Sequence, residues 1–149
     1  DEQICLAVAT MLAKIDLTVK VNARTTAQHF STILKGQSPM FLNAWGADFN
    51  LDSGSFLRDI MHTPDGGRKG TWNPGGYSNA RVDEIEELAA KEMDPDKRRA
   101  LIYEAFKIHK DEIGHIPLHQ EEVVWAMKSN VTVEQTPINV LWLRWVKVN

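Results

Sequence analysis

The stretch Met40-Phe41-Leu42-Asn43-Ala44-Trp45-Gly46-Ala47-Asp48 sets the fold class that this sequence predicts. The part up to Trp45 is a short, mostly apolar run, which is typical of an interior strand of a layered sheet. Gly46 then ends the predicted strand and turns the chain. Ligands of open α/β sheets bind beyond the carboxyl ends of the strands, so we expect Trp45 and Asp48 to face a ligand.

The two side chains suit a small cationic group. The Asp48 carboxylate can accept a charge-assisted hydrogen bond from an ammonium group. The Trp45 indole can add a flat apolar wall or a cation–π contact. Asn43 and Gly46, at the same strand end, belong to the predicted site. From these residues alone a core tryptophan beside a capping aspartate remains the alternative.

The flanking sequence predicts an α/β arrangement. Apolar residues at helical spacing indicate a helix over residues 2–15, and alternation indicates a strand over 17–21. A second helix is predicted from Thr25 or Thr26 to Lys35, and a short one from about Ser53 to Met61. A βαβ-like order predicts parallel strands with a right-handed crossover, and therefore a mixed sheet flanked by helices.

The second half of the chain begins with a loop. Residues 63–78 are too rich in Pro and Gly for a helix or an interior strand. Trp72 and Tyr77 flank this loop and are candidates to reach a ligand, with packing on the surface as the alternative. Lys69-Gly70-Thr71 lacks the order of a phosphate-binding P-loop. Helices are predicted after Ser78 or Asn79 and after Asp94-Pro95, and strands over 123–127 and 140–146.

Three blocks of this sequence resemble a known family. They are Ala44-Trp45-Gly46-Ala47-Asp48, then Gly76-Tyr77-Ser78-Asn79-Ala80-Arg81-Val82-Asp83-Glu84-Ile85 with Asp94 through Arg98, then Ile116-Pro117-Leu118-His119. Their order and spacing resemble the C-terminal part of the family 5 extracellular solute-binding proteins of ABC transporters, the dipeptide- and oligopeptide-binding type. The resemblance covers residues 1 to about 128.

The resemblance implies a fold and a function. The fold is a periplasmic-binding-protein-like (type II) C-terminal lobe over residues 1–118, and residues 119–149 cross back toward a first lobe. Asp48 would receive the α-amino group of a peptide, Trp45 would line the same cleft, and the partners would be the solute and the membrane permease. Relatives also bind nickel complexes, haem or sugars, so a non-peptide solute is the alternative. The implied location is the periplasm or the outer face of the membrane. No signal peptide is recognised at Asp1-Glu2-Gln3-Ile4, so we expect the parent to begin upstream.

Composition and histidine spacing argue against other classes of site. A net charge of −3 disfavours a nucleic-acid partner. The single Cys5 is expected to be a buried, inert thiol. Pro117 keeps His115 and His119 on an extended segment, where they stand roughly 13 Å apart and make poor joint metal ligands. We therefore expect no metal and no cofactor, and we include His119 only as a single polar contact to the ligand.

Catalysis is not expected either. No Gly-x-Ser-x-Gly or His-Glu-x-x-His motif occurs, and the one cysteine has no evident base. The basic triplet Lys97-Arg98-Arg99 is expected to be a solvated face. The same is expected of the helix acids, which are Asp83, Glu84, Glu86, Glu87, Glu104 and Asp111. A protein-interaction module that uses the apolar tail with Trp142 and Trp145 is a further alternative.

Overall fold

A computed structural model describes residues 1–46, 52–136 and 138–149. The helices are α1 (Glu2–Ala13), α2 (Thr26–Ile33), α3 (Gly54–Phe56), α4 (Ala80–Lys91) and α5 (Pro95–Asp111). A π-helical turn over Leu57–Met61 continues α3, and a 3₁₀ turn covers Leu143–Trp145. The strands are β1 (Val131–Thr132) and β2 (Lys147–Val148). No helix in the described ranges is both long enough and apolar enough to cross a membrane.

The core lies where α4, α5 and the π-helical turn meet. Leu57, Met61, Val82, Ile85 and Ala105 are all fully buried there. Val82 and Ile85 are three residues apart on α4, which gives the single apolar stripe that the sequence predicts. Burying a large aliphatic side chain contributes about 1.5–3 kcal/mol, so these contacts hold the helices together.

The helix starts follow from capping side chains. Asn79 accepts hydrogen bonds from the backbone N–H groups of Arg81 and Val82 at the start of α4. Asp94 does the same at α5, where Pro95 occupies the first helical position. Thr25 forms a reciprocal capping box with Gln28 at α2. These predicted helix starts are confirmed, because each side-chain oxygen satisfies N–H groups that lack partners inside the helix.

The predicted strands are not formed. Residues 17–21, 40–45 and 123–127 have no regular structure, and the predicted strand over 140–146 contains the 3₁₀ turn instead. In the described part of the chain the sheet is one antiparallel pair, with Val131 opposite Val148 and Thr132 opposite Lys147. An apolar pattern creates a strand only where a neighbour pairs with its backbone, and these segments have none here. So little β structure decides neither for nor against a mixed-sheet lobe, which stays a prediction.

The loop between the π-helical turn and α4 is bonded to its surroundings. Asn73, only 3% exposed, donates to the carbonyl oxygens of His62 (3.1 Å) and Tyr77 (2.7 Å) and accepts from the Tyr77 N–H (3.0 Å). Gly70 has a φ of +63°, and a Cβ there would lie 2.5 Å from the His62 carbonyl oxygen. The loop therefore depends on a glycine and a buried amide at these positions.

Candidate ligand-binding site

Two open cavities lie where α3 and the π-helical turn face α4 and α5. The smaller one, about 150 Å³, is lined by Trp45, Asp52, Ser53, Ser55, Phe56 and Phe106. The larger one, about 330 Å³, is lined by Asp52, Gly54, Ser55, Leu57, Arg58, Glu86, Ala89, Ala90 and Arg98. Asp52 and Ser55 line both cavities, so the two cavities are adjacent and together form the candidate site.

Aromatic side chains form one side of the smaller cavity. The Trp45 and Trp72 rings are tilted against each other with centroids 6.2 Å apart, and Trp72 makes an edge contact with Phe30 at 5.2 Å. The buried Trp45 indole N–H has no hydrogen-bond partner among the described residues. A buried indole N–H normally finds an acceptor, so this group is suited to donate to a ligand oxygen.

Two further aromatic residues, Phe56 and Phe106, line the smaller cavity. Their rings stack with centroids 5.5 Å apart and an angle of 25° between their planes. The stack joins α3 to α5, because Phe106 lies on α5 and Phe56 ends α3. The three aromatic residues of the lining make this cavity suitable for a flat or apolar group.

Asp52 is held by Arg98. The Arg98 Nε atom lies 2.9 Å from Asp52 Oδ2, and its second terminal nitrogen lies 3.3 Å from Oδ1. The hydrogen bond from Arg98 lowers the pKa of Asp52, although burial opposes this. The same guanidinium donates to the Ala89 carbonyl oxygen on α4. Asp52 is therefore ionised at neutral pH and is fixed to both α4 and α5.

The larger cavity has a mixed ionic lining. Glu86 is only 7% exposed, and its Oε2 atom lies 2.7 Å from Lys69 Nζ. Arg58 forms a two-point contact with Asp59, at 2.7 and 2.8 Å. With Asp52 and Arg98, the walls carry two carboxylates and two guanidiniums. Such a lining suits a group that carries both charges or a polar solute more than a simple anion or cation.

The backbone around the π-helical turn positions this wall. The turn ends with the His62 N–H donating to the Leu57 carbonyl oxygen at 2.8 Å, which widens the helix by one residue. The Gly70 N–H donates to the Arg58 carbonyl oxygen, and the Trp72 N–H donates to that of Asp59. These two bonds fix the loop so that the Trp72 ring meets Trp45.

The residues predicted for the site are not all brought together. Trp45 lines the smaller cavity, and Trp72 packs against Trp45 from the loop without lining the cavity itself. Asn43 and Gly46 are exposed next to Trp45 in sequence, and a Cβ at Gly46 would meet nothing within 4 Å. Asp48, the predicted ligand for an ammonium group, lies outside the described residues.

Tyr77 and His119 lie away from these cavities. The Tyr77 hydroxyl donates to Glu112 at 2.7 Å, and its ring packs edge-on against His109 at 4.7 Å. Burial and the neighbouring Glu112 carboxylate raise the pKa of Tyr77. His119 is exposed on the segment that follows α5. Neither residue lines either cavity, so Tyr77 has a packing role in this arrangement.

Two lining residues were expected to be exposed. The expectation of a solvated face is wrong for Glu86, which is 7% exposed. In the basic triplet, Lys97 and Arg99 are exposed as expected, but the Arg98 side chain is partly buried, at 27% exposed. The position of each residue on its helix could have predicted its burial. Glu86 falls between Val82 and Ala89 on the buried face of α4, and Arg98 precedes the apolar residues of α5 by one turn.

Metal chemistry finds no support in this part of the molecule. Within residues 1–46, 52–136 and 138–149, no three His, Cys, Asp or Glu side chains are close enough together to hold a metal ion.

Comparisons with other proteins give no family. No family model matches the chain. Neither the curated proteins nor the solved structures include a match. The resemblance to solute-binding proteins therefore stays a prediction that the three sequence blocks carry.

Proposed function

We propose that this chain is the ligand-binding lobe of an extracellular solute-binding protein that delivers peptides or peptide-like solutes to the permease of an ABC importer. The observation that carries the proposal is the Trp45 indole in the wall of an open cavity, three residues before the Asp48 carboxylate in sequence. In this role the protein binds and releases its solute unchanged at the outer face of the membrane.

Each group of the site has a task in this proposal. Asp48 accepts hydrogen bonds from the α-ammonium group of the peptide. The Trp45 N–H, which lacks a partner among the described residues, donates to a peptide carbonyl oxygen. Phe56 and Phe106 provide an apolar wall for the first side chain. Closure of a second lobe excludes water and strengthens these polar contacts.

The exposed surface supports the need for a second lobe. The chain exposes 11357 Å². A compact protein of 16.9 kDa is expected to expose roughly 7700 Å², about two-thirds of that value. Much of the excess is apolar, since Met11, Ile15, Ile116, Val124 and Leu143 are between 63% and 80% exposed. A second lobe would cover part of this surface.

Mass spectrometry of the natively purified parent protein tests the proposal. We expect peptides to be released from the wild type on denaturation and to be missing from Asp48→Ala. Leaving a buried ammonium without its carboxylate should weaken binding by roughly 3–5 kcal/mol. Asp111→Ala is the matched control, because Asp111 is an exposed aspartate whose one ion pair among the described residues is with Lys107. A non-peptide cargo would favour the alternative solutes, and peptides retained by Asp48→Ala would remove Asp48 from the site.

A protein-interaction module is the second candidate. Arg144 lies over the rings of both Trp142 (5.0 Å) and Trp145 (5.5 Å), and the adjacent Leu143 is 78% exposed. Tryptophan and arginine are enriched at protein contacts, and the exposed Leu143 adds apolar surface beside them. Sedimentation velocity of the chain over a range of concentrations tests this function. It requires that the chain associates with itself and that Leu143→Asp abolishes this association.

A further inference from the structure

Two imidazoles meet at the carboxyl end of α5. The His109 Nε2 atom lies 2.8 Å from His115 Nδ1, within hydrogen-bond distance, and the rings are nearly parallel with centroids 5.0 Å apart. His109 is only 6% exposed, and His115 is partly buried. The predicted binding site does not use either residue.

The end of α5 brings the chain back onto His109. The Gly114 N–H donates to the His109 carbonyl oxygen at 2.9 Å, and the Ile113 N–H donates to that of Lys110 at 3.1 Å. This pattern is a Schellman motif, which reverses the chain direction. A Cβ at Gly114 would collide with the His109 ring and lie 2.9 Å from Tyr77 Cδ2. Only a glycine lets the backbone pass this close to the imidazole.

Acidic and phenolic groups surround the histidine pair. The Tyr77 ring covers one side of His109, and its hydroxyl donates to Glu112 Oε2. The other Glu112 oxygen accepts from the Asn79 amide at 2.8 Å. On α4, Asp83 is the acidic group nearest to this cluster, and it accepts from the Thr63 N–H. The negative charge of Glu112 favours protonation of His109, whereas burial opposes it.

Burial keeps the pair neutral at pH 7. Desolvation lowers the pKa of His109 to about 4, and the neighbouring His115 adds to this effect. Desolvation also lowers the pKa of His115. One ring nitrogen must donate and the other accept, so the hydrogen bond survives one added proton and is removed when both imidazoles are protonated and two N–H groups face each other. Because both folded-state pKa values are lowered, the contact is stable at neutral pH and is lost in acid, once the second imidazole takes up its proton.

This contact is the anchor of the segment that leaves α5. Among the described residues, no other hydrogen bond ties residues 115–122 to the helices. Ile116 is 75% exposed and Leu118 is 48% exposed, so apolar packing adds little. We propose that the His109–His115 contact is an acid-released latch that holds residues 115–119 against the end of α5.

The mobility of this segment as a function of pH tests the latch. Heteronuclear {¹H}–¹⁵N NOE values for Ile116 and Leu118 in the full chain should stay high at pH 7.5 and fall at least twofold on acidification. The midpoint should lie below the ordinary histidine pKa of about 6.5. The Ala105 amide, inside α5, is the internal reference. If its NOE falls at the same midpoint, the whole chain unfolds and the latch is disproved.

Two histidine variants separate the latch from a general effect of acid. His115→Ala should make Ile116 and Leu118 mobile at pH 7.5 and should remove the pH dependence. His119→Ala, which changes an exposed histidine on the same segment, should behave like the wild type. The proposal would be overturned by wild-type rigidity in His115→Ala. It would also be overturned by an NOE in the wild type that is constant between pH 7.5 and pH 3.

Discussion

At the residue scale, the site is positioned mainly by buried polar side chains. The aromatic residues line the site but do not fix its geometry. Asn73 holds the loop that carries Trp72, and Arg98 holds Asp52 between the two cavities. Both are partly or fully buried and fully engaged. Removing one partner of such contacts costs more than the contact itself contributes, because the other partner is left without a hydrogen bond.

Asn73→Ala should therefore destabilise the chain strongly. The substitution removes three hydrogen bonds and leaves the His62 carbonyl group and the Tyr77 backbone without partners. We expect a loss of roughly 2–3 kcal/mol in the free energy of unfolding, measured by urea denaturation. Asn130→Ala is the control, since this exposed side chain makes no hydrogen bond in the described structure. Equal stability of the two variants would contradict the role of Asn73.

At the element scale, the helices are held by their ends and by ion pairs between them. α2 ends with Gly36 in a left-handed conformation, with a φ of +65°. α5 ends in the same way with Ile113, which has a φ of +54° although it is β-branched. A left-handed conformation costs a residue with a Cβ about 1–2 kcal/mol, so α5 carries strain at its end that α2 avoids.

Ile113→Gly should stabilise the chain. Ile113 is 70% exposed, so the substitution removes little packing while it relieves the unfavourable φ. We expect a gain of about 1 kcal/mol and a higher melting temperature in differential scanning calorimetry. Ile116→Gly, at a position that is 75% exposed and has no positive φ, should change stability by less than about 0.5 kcal/mol. A gain in the control of the same size would show that the backbone conformation is not the cause.

The Asp52–Arg98 pair should couple the segment before α3 to α5. A double-mutant cycle with Asp52→Asn and Arg98→Gln is expected to give a coupling free energy of about 1 kcal/mol at pH 7. The pKa of Asp52 is lowered in the folded state, so this contribution is complete above about pH 4 and is lost as the pH falls through the folded-state pKa. The Asp96–Arg99 pair, with both side chains more than 75% exposed, should give a coupling near zero. A coupling that does not change down to pH 2 would show that the charge of Asp52 is not involved.

At the scale of the whole molecule, apolar surface remains open at both ends of the chain. α1 contains no buried residue, and Leu6 and Met11 are 43% and 63% exposed. The C-terminal tail forms one short antiparallel pair and a 3₁₀ turn. A cleft between two lobes needs both walls, so the chain by itself should hold a ligand poorly.

The proposed function predicts that the isolated chain binds peptides at least 100-fold more weakly than a complete two-lobed protein, a loss of about 2.7 kcal/mol. Isothermal titration calorimetry with the same peptide on both proteins measures the difference. The two-lobed protein with Asp48→Ala is the control, because it keeps both walls of the cleft but lacks the carboxylate that binds the ammonium group. A tight complex of peptide with the chain alone would contradict binding by closure of two lobes.

Local sequence determined the helices. Capping side chains at Thr25, Asn79 and Asp94, together with apolar residues every three or four positions, predicted α2, α4 and α5 because these interactions lie within a few residues of one another. The Pro- and Gly-rich loop before α4 was predicted for the same reason. Trp45 was predicted to face a ligand from the end of a strand; the strand is not formed, Trp45 lies in a cavity wall, and its contact with a ligand stays a prediction.

Tertiary structure decided what depends on distant partners. Strands need a neighbouring backbone for their hydrogen bonds, so apolar alternation over residues 17–21 or 123–127 did not suffice to form one. Arg98 meets Asp52 across 46 positions, and His109 meets His115 only because the end of α5 reverses the chain. Sequence spacing does not encode such contacts, whose geometry arises when α4, α5 and the π-helical turn pack around one core.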